Sequence, residues 1–99
     1  MIAVTAQATI RPEARDEALR QAAIVAAASQ NESGCLSYRI CADVEDPNSF
    51  FAFEEWESDD ALNAHFAQEH TKAFLAYLAG VLNGEIVTRR YTIESVESL

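Results

Sequence analysis

His65 is the residue best suited to move a proton in this 99-residue chain. An imidazole titrates near neutral pH and can act as a general base. His65 follows Leu62 by three residues and precedes Phe66, which puts it on or beside an apolar helical stripe. The other reading is a structural histidine bonded to a backbone carbonyl, and spacing alone favours it. Trp56 can cap a pocket or stack on a planar ring, or serve simply as a core aromatic, the commoner role of a strand tryptophan. Tyr38 can hydrogen-bond a ligand oxygen or pack, and Phe53 and Phe66 can shape an apolar slot for a ring. Glu54 shares a strand face with Trp56, and Glu55 takes the other. If one of these carboxylates is buried it needs a partner, and Arg39 on the neighbouring strand is the natural one.

Other chemistries are excluded by what is missing or misplaced. His65 and Glu69 have i, i+4 spacing, but no third ligand lies nearby in sequence, and Cys35 and Cys41 lack ligand spacing with either histidine. No metal site is therefore expected. His70 falls roughly opposite His65 in azimuth and is expected to be exposed or to mark a helix break. In an extended strand Cys35 and Cys41 share a face about 20 Å apart at roughly 3.3 Å per residue, too far to pair. Two reduced thiols in a cytoplasmic protein are expected. There is no phosphate loop, dinucleotide fingerprint or nucleophile elbow, and the chain has only three glycines for close backbone approach to a cofactor. An enzyme built on it works with no nucleotide or flavin in a standard motif, and no cofactor is expected.

The elements that must position these groups are legible as a β-α-β-β-α-β order. Residues 2–10 alternate as a half-buried strand. Pro12 suits the first turn of a helix that runs to about Ser29, with Leu19, Ala22, Ala23 and Ala26 as its apolar stripe. Gly34 closes the turn after it. Strands are expected over Cys35 to about Asp43 and Ser49–Glu57, antiparallel across the turn at Glu45–Asn48. Ser58 is the N-cap of the second helix, which bends or breaks around residues 68–70 and continues through Leu82. A last strand covers Glu85–Val96. Residues 1–99 thus make one domain, a ferredoxin-like α+β sandwich with two helices on one face of a four-stranded antiparallel sheet. Strand three is apolar on both faces, with Phe51 and Phe53 opposite Phe50 and Trp56. This points to a second copy covering the open face as a homodimer.

A formal charge of −9 argues against nucleic acid and anionic membrane as partners, so neither is expected, and no run approaches transmembrane length. With 49% apolar and 23% charged residues the composition is that of an ordinary soluble domain.

Gly34-Cys-Leu-Ser-Tyr38, Asp46-Pro47, Phe50, the Glu54-x-Trp56-x-Ser58 run, Ala61-Leu62 and His65 together resemble the antibiotic biosynthesis monooxygenase (ABM) family over nearly the whole chain. The resemblance implies a dimeric α+β barrel with a pocket between helices and sheet in each subunit. It also implies a cofactor-independent monooxygenase that oxidises a phenol or quinol with O₂, because some members do so. His65 would take the substrate proton, with Trp56 beside it, and Tyr38, Phe53 and Phe66 would hold the ring. The aromatic-polyketide oxygenases of the family carry an asparagine four residues before the strand tryptophan, where this chain has Ala52. The Asn, Trp, His set of the haem-degrading members is not matched. The alternatives are a small-metabolite isomerase or lyase, with Arg39 holding an oxygenated substrate, and a non-catalytic ligand-binding dimer.

Overall fold

A computed structural model describes residues 1–99. Strand β1 (Ile2–Thr9) leads through a single 3₁₀ turn at Pro12–Ala14 into helix α1 (Arg15–Gln30). Strands β2 (Cys35–Ala42) and β3 (Ser49–Trp56) follow, then α2 (Asp59–Phe66), α3 (Glu69–Ala79) and β4 (Val87–Thr92). The sheet order is β2-β3-β1-β4, antiparallel at every pairing, with the helices on one face. This is the ferredoxin-like sandwich expected from the sequence. No helix is long and apolar enough to cross a membrane.

The core lies under α1 and α2, where Ile2, Val4, Val25, Tyr38, Trp56 and Leu62 pack together. The buried stripe of α1 is Ala18, Val25 and Ser29, rotated from the expected one, so that Leu19 is half-exposed. Alanines on several sides of α1 blur the apolar face, so its sequence alone does not mark Val25 as the residue turned to the core. In α3 Phe74 and Leu78 are half-buried and Leu75 is exposed, and all three line a cavity.

Three local features aim the side chains of the site. Ser58 caps α2, its hydroxyl accepting from the Ala61 N–H at 3.2 Å. After Ala67 the backbone turns extended at Gln68, and α3 starts in a new direction. In β2 a bulge between Cys35 and Ser37 shifts the register. Leu36 is pushed out, half-exposed, while Cys35 packs beside the core and Cys41 is exposed. The two cysteines therefore occupy opposite faces, which corrects the shared face expected from a regular strand.

Candidate active site

A cavity of about 590 Å³ lies between the sheet and helices α2 and α3. Its floor is Val4, Ala6 and Ala8 of β1, Ile40 of β2, and Phe50 and Ala52 of β3. Alternate residues of a strand share a face, and the short alanines at 6, 8 and 52 leave the space that Phe74, Leu75 and Leu78 do not fill. Fifteen of the 22 lining residues are hydrophobic, so an apolar ring would displace little bound water polarity. Tyr38, Glu54, His65 and Thr71 bring polar atoms to one end. Arg89 and Arg90 stand at the β4 side, with Arg90 paired to Asp59 at the start of α2.

His65 is 2% exposed and bonds a side chain, not a backbone carbonyl. Its Nδ1 lies 2.7 Å from Oε2 of Glu32, with the Thr71 hydroxyl at 3.3 Å. A carboxylate there accepts the Nδ1–H, which fixes the tautomer and leaves Nε2 as the basic nitrogen. Nε2 is 3.9 Å from Oε1 of Glu54. That same Oε1 accepts the Trp56 indole N–H at 3.0 Å. The indole and imidazole centroids are 4.6 Å apart, and the Tyr38 ring is 5.5 Å from His65. From the far side, Nε2 of His70 reaches the same Glu32 oxygen at 2.7 Å.

The electrostatics follow from burial. The Glu54 carboxyl is raised above its usual range by desolvation, against the Trp56 hydrogen bond and the nearby imidazole, with Glu32 adding to the rise. The Tyr38 phenol is raised well above its ordinary value by burial and by the charges of Glu54 and Glu32, so it stays protonated as a donor. The Cys35 thiol is raised for the same reasons and is no thiolate nucleophile. The ion-pair partners of Glu32 and Glu54 are imidazoles alone.

The expected site residues divide into three groups. His65, Tyr38 and Phe66 line the cavity. Trp56 does not reach it: fully buried, it sits behind Glu54 and His65 and touches both. Phe53 and Arg39 pair with each other on the opposite face of the sheet, so neither can touch a molecule in the cavity. Strand alternation puts each one residue out of phase with a cavity residue, Glu54 and Tyr38 respectively. Arg39 is likewise not the partner of Glu54, which Trp56 supplies. Sequence reasoning missed Glu32, Thr71 and the contact of His70. Nothing in the turn Asn31–Gly34 marks Glu32 as inward-facing. The break at Gln68 was the available signal for His70, because a new helix axis cancels the azimuth of a continuous one. Glu32, His65 and His70 place three donor atoms within 4.8 Å of one another. The sequence paired His65 with Glu69, whereas the fold groups His65 with His70 and with Glu32 of a distant turn.

With this geometry in view, the chain can be set beside known proteins. Residues 1–77 match the family model described as antibiotic biosynthesis monooxygenase. A crystal structure of an antibiotic biosynthesis monooxygenase superposes with a TM-score of 0.90 at 28% identity, covering 96% of this chain and 100% of that one. YcnE of Bacillus subtilis, provisionally named a monooxygenase, is 30% identical over 77% of this chain and 80% of its own length. The uncharacterized Synechocystis sp. protein sll1783 is 26% identical over 99% of this chain and 67% of its own. A match over residues 1–77, on a shared fold, means that the chain belongs to the antibiotic biosynthesis monooxygenase family.

Proposed function

We propose that this protein is a monooxygenase that oxidises an electron-rich phenol or quinol with O₂, using no bound cofactor. The observation that carries the reading is a single buried imidazole, oriented by a carboxylate, at the polar end of an apolar cavity large enough for a fused ring. For a phenol with a free para carbon the balance is phenol plus O₂ giving para-quinone plus water, with all four electrons drawn from the substrate.

In this reading Nε2 of His65 accepts the phenolic proton, and Glu32 stabilises the imidazolium that results. The phenolate, held where little water competes, passes an electron to O₂. The recombined oxygen adds to the ring carbon, and loss of water yields the quinone. Tyr38, held protonated by burial, is the donor available to a developing oxyanion. Trp56 is a positioning residue, acting through the Glu54 oxygen that it holds and the imidazole that it stacks against. Phe66 and Leu75, each about half-exposed, border the ring slot. Phe53 and Arg39 have no part in it.

The open face of the sheet supports a homodimer as the working unit. Phe51, Phe53, Val87 and Tyr91 are 39–50% exposed there, and strand pairing sets them on the side away from the helices. An isomerase or lyase that anchors its substrate on Arg39 loses support, because that guanidinium faces away from the cavity. The test is oxygen uptake by chelator-treated protein with a panel of naphthols and anthrones, with ¹⁸O₂ to follow the label. Label in the product, and no turnover under anaerobic conditions, is the expected result. Turnover that persists without oxygen would replace this reading with the isomerase.

A further inference from the structure

We propose that Glu32, His65 and His70 form a binding site for one divalent transition-metal ion of the zinc class. The three donors come from three separate places: the turn after α1, the last turn of α2 and the first turn of α3. They converge on one point only because the chain breaks at Gln68, which turns His70 back towards the carboxylate that His65 already holds. Two imidazoles and a carboxylate are a recurring three-ligand set for zinc, with one position left open. Donors at about 2.1 Å from a tetrahedral ion stand about 3.4 Å apart. Both histidine nitrogens lie 2.7 Å from the Glu32 oxygen and all three donors lie within 4.8 Å of one another, so small side-chain shifts bring them to that spacing.

Charge argues the same way. The Glu32 side chain is 8% exposed and the nearby Glu54 side chain 9%, yet neither has a lysine or arginine partner. A buried carboxylate at Glu32 with no fixed cation leaves a negative site that a divalent ion would neutralise. Glu32 and His70 do not line the ring-binding cavity, so this site is behind His65 and not within the cavity itself.

Occupation would change what His65 can do. A neutral imidazole bound through Nδ1 carries its proton on Nε2, the nitrogen nearer Glu54. The metal-bound form therefore presents a donor where the metal-free form presents a base. The ion would hold α2, α3 and the α1–β2 turn together and switch off proton abstraction.

The test uses the full chain, stripped with chelator and titrated with CoCl₂ and ZnCl₂. We expect one Co²⁺ per chain with visible d–d absorption, and one Zn²⁺ by calorimetry. His70→Asn, at a partly exposed position that folding should tolerate, and Glu32→Gln should each weaken Zn²⁺ binding about 100-fold. Cys35→Ser with Cys41→Ser should leave it unchanged. Absence of stoichiometric binding, wild-type affinity in a folded His70→Asn variant, or loss of binding in the cysteine variant would each overturn the proposal. None of these readouts depends on turnover. Oxygen uptake measured with chelator present tests the role of His65 separately, so failure of one reading leaves the other standing.

Discussion

Replacing Gly34 with alanine is expected to cost the fold about 1–4 kcal/mol and to disturb the site through α2. Gly34 has a φ of +83°, a region where an L residue pays about 1–2 kcal/mol. A methyl at this position would also stand 2.6 Å from the Cβ of Ala61, closer than side-chain carbons approach. Overpacking of this kind costs about 1–3 kcal/mol. Restricting the unfolded chain returns up to about 1 kcal/mol of the total. For a domain of this size, the melting temperature should fall roughly 5–25 °C. Ala61 lies one helical turn before His65, and Gly34 lies two residues after Glu32, so relief of the clash is expected to disturb the contact between the imidazole and its carboxylate. Urea denaturation of Gly34→Ala, Ala61→Gly and the double variant resolves the two causes. Ala61→Gly alone should cost about 1 kcal/mol of helix stability, yet in the alanine background it should restore the steric part. A Gly34→Ala variant within about 0.5 kcal/mol of the parent, or a cycle with no coupling, would refute the reasoning.

Glu54 gives a pH-dependent test. Its folded pKa is raised above the ordinary value of 4.5, so its contribution to stability is complete below that value and is lost as pH rises through the folded pKa. Urea midpoints at about pH 5 and pH 8 should therefore differ less in Glu54→Gln than in the parent, and an unchanged difference would contradict the assignment. Trp56→Phe keeps a ring beside His65 but removes the indole donor from Glu54, and equilibrium unfolding should register a loss of about 1–3 kcal/mol. Phe53→Arg on the open face should give a monomer by light scattering while the cavity keeps its affinity for a naphthol.

The elements were legible because their signals are local. Alternation over residues 2–10, the Ser58 cap and the Pro12 turn each need only a few neighbours to be read, and each stands where expected. The same alternation separates Phe53 from Trp56 and Arg39 from Tyr38, so gathering all four around one ring conflicts with the strand period. The bulge at Leu36 was hidden because no glycine or proline marks it. Glu32 was hidden for a different reason. Its inward position depends on two histidines more than thirty residues away in sequence, and a glutamate in a polar turn carries no mark of such partners. The helix break, which the sequence did mark, was the one clue that His70 need not point away from His65.

The claim on which the rest turns is that His65 removes the substrate proton. The direct measurement is the rate of oxygen uptake by His65→Gln against the parent, with a phenol the parent oxidises and with chelator present. Glutamine can still donate to Glu32, so the fold and the cavity should survive, which binding of the same phenol under anaerobic conditions would confirm. A rate about 100- to 10,000-fold lower, with that binding retained, is the expected result. Uptake at the parental rate would contradict it.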